Sequence, residues 1–160
     1  MRTADQWISE YGESHQDPLN KMIHYLCVPA ILFSIIGLLS SIPLGSIQAL
    51  FPASIAPFIH LGTLLIILSL IFYIRLSFLL FLGMLMISVL TLWGNYQLAV
   101  SSSISLWIIS LAIFATAWVL QFIGHNHEGK KPSFLKDVQF LLIGPAWILA
   151  HFYSKLGIKY

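Results

Sequence analysis

Charged residues in this chain are confined to the ends of long apolar runs. No Lys, Arg, Asp or Glu occurs over residues 22–74 or 76–127, and residues 138–154 form a third uncharged run. A bilayer crossing takes about 20 apolar residues, so each of the first two runs holds two crossings. The third is short for one and is expected to be tilted, thin or only partly inserted. The pattern predicts an all-α, polytopic membrane bundle with four to five transmembrane or membrane-inserted helices and an N-terminal interfacial helix. Residues 1–160 read as a single membrane domain, without internal boundary or repeat.

Local signals place the elements. Thr3, with Gln6 three residues on, makes a capping box for a first helix over about residues 4–14. Trp7, Ile8 and Tyr11 give that helix an apolar face suited to the membrane interface. Asp17-Pro18 reads as N-cap and first turn of a second helix reaching about Leu39, with Pro29 as a kink inside it. In lipid the carbonyl freed at a kink needs a neighbour, which implies close packing there. Residues 40–56 are apolar for an aqueous loop and fit a short interfacial segment. Residues 57–74 span back, Arg75 marks a tight turn, and 76–93 cross again. Residues 94–103 are polar enough to turn, and 104–123 return. A polar connector over 130–136 precedes the last segment, 137–153.

The composition agrees, at 58% hydrophobic and 9% charged, against about 25% charged in a soluble domain. The first residues lack the apolar centre of a signal peptide. Cys27, the one cysteine, excludes an internal disulfide and reads as a small buried filler. A net charge of +2 is too small and too dispersed to argue for nucleic acid. With four spans, Arg2, Lys21, Arg75, Lys130, Lys131 and Lys136 fall on one side, together with all six acidic residues. Lys155 and Lys159 lie opposite if the last segment crosses. This bias favours the cytoplasm for the polar side.

Six histidines in so apolar a chain are the candidate chemistry. Asn20 and His24 share a helix face at i,i+4, as do Gln121 and His125, with Glu128 three residues further. A fold-back before Asp17-Pro18 brings His15 beside the start of the second helix. The ends of the first and fourth spans lie at one level, which allows His15, His24, His125 and Glu128 to converge. Neutral imidazoles with a carboxylate suit a divalent ion such as iron or zinc. Asn20 and Gln121 would orient ligands or bind substrate. The plain alternative is interfacial histidines hydrogen-bonded to neighbouring helices, and no HExxH or cysteine pair sharpens the choice.

The remaining candidates depend on topology. His151 joins the metal set only if the last segment bends back, as Gly144-Pro145 permits. His127 reads as an exposed or capping residue, or as an extra ligand where the helix has ended. His60, near the opposite face, reads as a packing or hydrogen-bonding residue. Lys21 and Arg75 are candidates to balance a substrate carboxylate, and Arg75 also suits a simple turn anchor. Trp7, Trp93, Trp118, Trp147 and Tyr153 read as interface or packing aromatics.

The phrases YGESHQDPLNKMIH (residues 11–24) and WVLQFIGHNHEGKKPS (residues 118–133) resemble those of the Mpo1-like family, and the resemblance covers nearly the whole chain. Its specificity lies in pairing H-x4-N-x3-H with Q-F-x-G-H followed by E-x3-P. Tyr11, Asn20, Gln121, Gly124, Glu128 and Pro132 match these motifs, the last two in the shorter spacing of bacterial-type members. Many eukaryotic members have an additional residue and an aromatic before the glutamate, and His127 stands where an apolar residue is common. The resemblance implies an Fe(II)-dependent dioxygenase that shortens 2-hydroxy fatty acids by one carbon, with release of carbon dioxide. It implies Fe(II) on His15, His24 and His125, with Glu128 or His151 completing or supporting the site. The implied partners are a 2-hydroxy fatty acid, molecular oxygen and membrane lipid. The implied location is a bacterial inner membrane, with the metal site at the cytoplasmic face. The residues alone leave open a transporter, a non-catalytic metal- and lipid-binding membrane protein, or a zinc-dependent lipid hydrolase. Transport favours polar groups near mid-bilayer, whereas these phrases sit at one face.

Overall fold

The computed structural model describes residues 2–132 and 139–160. Ser133 of the second motif phrase, Lys136 of the connector and Asp137 at the start of the last segment lie outside the described residues. Among the described residues the chain forms seven α-helices and one 3-10 turn, with no strand.

Helix α1 (Ala4–Gly12) opens with the expected reciprocal cap. Thr3 Oγ1 accepts the Gln6 N–H at 3.3 Å, and Gln6 Oε1 accepts the Thr3 N–H at 2.9 Å. Helix α2 (Pro18–Ser40) starts at Asp17, whose carboxylate accepts the Asn20 N–H at 2.9 Å, with Pro18 in the first turn where a missing N–H costs nothing. A short α3 (Gly45–Gln48) and the 3-10 turn Ala56–Phe58 occupy the expected interfacial segment. Helix α4 (Leu61–Leu76) is N-capped by His60, whose Nδ1 accepts the Thr63 N–H at 3.2 Å. His60 is thus a buried structural residue remote from the other histidines. One extended residue, Ser77, ends α4 and caps α5 (Phe78–Ser101), which makes the turn beside Arg75 as tight as its isolation suggested.

Two helices outrun their expected ends. Residues 94–101 do not turn but continue α5, where the amide N–H groups of Asn95 find carbonyls within the bundle. Asn95 is buried, and its amide donates to Thr91 O at 3.0 Å and to Phe33 O of α2 at 3.1 Å. Helix α6 (Leu106–Glu128) likewise continues past residue 123 until Gly129, at φ 70°, lets the chain leave in a left-handed turn. The Lys130 N–H then returns to His125 O at 3.1 Å. His125 and Glu128 therefore both stand on the last turn of a continuous helix.

Helices α2, α5 and α6 have 23, 24 and 23 residues and are long and apolar enough to cross a membrane. Helix α4 is shorter, at 16 residues. Helix α2 is the centre, packed on α6, α4, α5 and α7. The outward faces carry Leu64, Ile67, Met86, Val89, Val119 and Phe122, all well exposed. Apolar residues outward and Asn95, Ser34 and Ser110 inward is the arrangement a lipid solvent selects.

Helix α7 (Phe140–Lys155) resolves the uncertain last segment. Tyr73 Oη donates to Leu142 O at 2.7 Å, and Tyr153 Oη donates to Leu79 O at 3.0 Å. Tyr73 and Leu79 flank the single α4–α5 turn, whereas residues 142 and 153 lie about 16 Å apart along α7. Both halves of α7 are thus held at one end of the bundle, and the helix does not carry the chain to the opposite face. Its partner there is α1, with Trp7 edge-on to Phe140 at 5.2 Å and Tyr11 5.5 Å from Trp147. Lys155 consequently joins the other basic residues instead of lying opposite them.

Close helix approach rests on particular glycines. A Cβ added at Gly37 would overlap the Ser110 hydroxyl and the Asn95 carboxamide, whereas one added at Gly45 would meet nothing within 4 Å. Gly37→Val is expected to cost about 1–3 kcal/mol through overpacking, and Gly45→Ala to stay within about 0.5 kcal/mol. Thermal unfolding in detergent micelles checks both, and equal melting of the two variants would remove Gly37 from the packing account.

Candidate metal centre

Three of the six histidines meet at the α1–α2–α6 end of the bundle. His15 lies in the turn between α1 and α2, His24 one and a half turns into α2, and His125 on the last turn of α6. Ring centroids are 4.2 Å apart for His15 and His24, 4.9 Å for His15 and His125, and 4.8 Å for His24 and His125. All three are buried, and one nitrogen from each falls within 4.8 Å of the other two.

Backbone geometry decides which nitrogens are free. His15 Nδ1 donates to Tyr11 O at 2.7 Å, and His24 Nδ1 donates to Asn20 O at 2.9 Å. A carbonyl can only accept, so in these neutral rings the proton is on Nδ1 and Nε2 keeps its lone pair. His15 Nε2 and His125 Nδ1 are both buried without a hydrogen-bond partner. Buried polar atoms are rarely left so, and two orphaned imidazole nitrogens in one cluster fit a cation that bonds to them. Burial, reinforced by the neighbouring His24 ring, pushes His15 down to about 3, so its lone pair is available at neutral pH. Tyr11 stacks on His15 at 4.2 Å, and its hydroxyl is held protonated by burial, which pushes it up.

Glu128 stands behind this cluster. Its Oε1 accepts the Gln16 N–H and its Oε2 accepts the Asn20 amide, each at 2.7 Å. The Asn20 amide also donates to Ser14 O at 3.3 Å, and a side chain at Gly124 would overlap the Asn20 carboxamide. One carboxylate thereby ties the end of α6 to both sides of the α1–α2 turn. Sequence reading placed Glu128 among the candidate ligands. Both its oxygens are already engaged, and it lies outside the three-histidine group.

The other candidates separate cleanly. His151 is exposed, 5.7 Å from Tyr25 and 6.2 Å from Trp147 between ring centroids, and is not one of the clustered rings. His127 is exposed and stands 3.9 Å from Asp17 Oδ2. Arg75 is exposed and Lys21 half-buried, and neither lines the cavity beside the cluster. Gln121 does line it, one turn of α6 deeper than His125. That cavity has a volume of about 480 Å³. Tyr11, the three histidines and Gln121 form its polar end, Gln139 and Ser69 also line it, and the rest of the wall is apolar, from α2, α4, α6 and α7. Trp147, read from sequence as an interface or packing aromatic, is a packing one, against Tyr11, Tyr25 and His15. Only the docking of α7 on α1 reveals this, and no local sequence signal carries it.

Comparison with known proteins agrees with this arrangement. The family model described as "2-hydroxy-palmitic acid dioxygenase Mpo1-like" matches residues 1–156. The 2-hydroxy-palmitic acid dioxygenase MPO1 of Saccharomyces cerevisiae is 34% identical over 150 residues, covering 92% of this chain and 78% of the yeast protein. No solved structure matches the chain. With a family model spanning nearly its full length and both histidine phrases in one buried cluster, the chain belongs to the Mpo1-like family.

Proposed function

We propose that this protein is a membrane-embedded, Fe(II)-dependent dioxygenase that converts a 2-hydroxy fatty acid and molecular oxygen into the acid one carbon shorter. Carbon dioxide and water complete the balance. The observation that carries the reading is one cavity with three imidazoles at its polar end and an apolar tunnel leading from them. Residues 1–160 are taken as one domain. The family relationship and the name of the yeast relative support the choice of reaction.

In this reading His15, His24 and His125 hold the metal, and Glu128 and Asn20 position them. A bound ferrous ion supplies open coordination positions and the one-electron chemistry that oxygen needs. Three neutral imidazoles contribute no charge, so the site favours an anionic chelator such as a 2-hydroxy carboxylate. With Lys21 and Arg75 outside the cavity, the carboxylate relies on the metal end itself. There Tyr11 brings a protonated hydroxyl and Gln121 a carboxamide within the same lining. The apolar walls take the acyl chain and keep water from the reacting carbons.

The location proposed is a bacterial inner membrane with the site on the cytoplasmic face. Among the described residues, every Lys and Arg lies at the end of the bundle that bears the histidines, as positive-inside orientation requires. Three imidazoles also suit zinc, and zinc-assisted lipid hydrolysis is separated by its independence of oxygen.

Purified protein loaded with Fe(II) is expected to convert 2-hydroxypalmitate under air into the fifteen-carbon acid, read by mass spectrometry. No shortened acid across a series of chain lengths, or a product formed equally without oxygen, overturns the reading. His24→Ala is expected to lose stoichiometric iron, and unchanged iron content would remove His24 from the ligand set. Glu128→Ala is expected to weaken iron binding by about 10- to 100-fold, the usual effect of losing a group that orients ligands, while retaining one iron at saturation. Loss of binding even at saturation would instead make Glu128 a ligand.

A further inference from the structure

The cavity lining on α2 follows one helix face. His24, Val28, Ile31, Leu32 and Ile35 recur at intervals of four, three, one and three residues. That stripe runs three turns, about 16 Å, from the histidine cluster into the apolar layer. Helix α6 runs antiparallel beside it and contributes His125, Gln121 and Trp118, while α4 contributes Ser69 and Leu65. Ser69 is satisfied by its own helix, its hydroxyl donating to Leu65 O at 2.8 Å. The inner part of the cavity therefore presents no unmet polar demand from α4.

Helices α4 and α6 both pack on α2 but scarcely on each other. The cavity is consequently a trough with α2 as its floor and α4 and α6 as its sides, lined also by α7, rather than a sealed chamber. A lipid can enter such a trough sideways from the bilayer, tail parallel to α2. Ile35 on α2 and Leu65 on α4 are the lining residues furthest along their helices from the histidine end.

We infer that Ile35 and Leu65 form the far wall of an acyl-chain trough and set the chain length this protein accepts. The inference rests on the reading of the cavity as a 2-hydroxy fatty acid site. The three histidines fix the polar end of the substrate, so tail length is measured from a fixed origin. A chain that ends before Ile35 leaves apolar wall uncovered, and a longer one must bend out between α4 and α6. The other residues of α2 and α4 that line the trough lie nearer the histidine end and flank the tail.

The test is a competition among saturated 2-hydroxy acids of graded length, with kcat/KM compared between long and short members. Ile35→Ala and Leu65→Ala are expected to move preference toward longer acids, and Ile35→Phe toward shorter ones. Each ratio is expected to change by about 10-fold or more, the scale on which an apolar pocket discriminates methylenes. Ile67→Ala, on the half-exposed outer face of α4, is the control and should leave the ratio unchanged. A second measurement, binding of unreactive fatty acids lacking the 2-hydroxyl, reads the same preference without turnover. If wild type binds by length and the variants shift that preference but no acid is oxidised, the trough stands and the dioxygenase reading falls. If acids are oxidised and neither ratio nor binding preference moves in Ile35→Ala or Ile35→Phe, the inference is overturned. It is overturned equally if Ile67→Ala shifts the ratio as much as they do.

Discussion

The carboxylate of Glu128 is the constraint on which the site depends. It joins residues 108 and 112 positions apart in the chain, accepting from the Asn20 amide and from the Gln16 backbone. Without that tie, the end of α6 would meet the α1–α2 turn through the longer His127–Asp17 contact and through packing, both tolerant of rotation and sliding. Two short charge-assisted hydrogen bonds remove that freedom. They fix the rotation of α6 that turns His125 inward, and the turn that places His15 opposite His24. Asn20 is the pivot, bonding Glu128 through its side chain while its carbonyl sets the tautomer of His24. The same few atoms thus hold two helices together and decide which nitrogen of His24 carries the lone pair.

Placing such a network in a membrane protein imposes a second condition. Backbone and side-chain polar groups in lipid must find partners inside the bundle. At the opposite half of the molecule that duty falls to Asn95, which bonds Phe33 O across from α5 to α2. Gly37 gives it room to approach. The bundle is therefore pinned by polar contacts at two levels, with the apolar trough lying between them.

Much of this was legible before any coordinates. The caps at Thr3 and Asp17 and the isolation of Arg75 located helix ends, because each signal is local and its physics is complete within four residues. The convergence of His15, His24 and His125 followed from counting crossings, since four spans return α6 to the level at which α2 begins. What sequence could not supply was pairing at longer range. Residues 94–101 looked like a turn because Gly, Asn and Gln are poor company for lipid. The Asn95 amide reaches Thr91 O in its own helix and Phe33 O across on α2, and the second bond is invisible to sequence. Glu128 looked like a ligand because a carboxylate near imidazoles suits a metal, and its choice of Asn20 and Gln16 depends on side-chain rotamers. Helix α7 was ambiguous because length and hydropathy do not distinguish a short crossing from a helix laid against α1. That decision is made by two tyrosine hydroxyl bonds, Tyr73 to Leu142 O and Tyr153 to Leu79 O, which hold points 11 residues apart on α7 against the α4–α5 turn.

The return of α7 has a consequence for assembly. The α1–α2 turn, α2 and α6 supply every imidazole of the cluster, yet Phe140, Leu142 and Pro145 complete the wall beside it. These residues are synthesised after all four earlier apolar helices. A chain ending before α7 would carry all three imidazoles and lack that wall. The cluster is thus complete as a set of side chains on the earlier part of the chain, while its surroundings are completed only by the last helix.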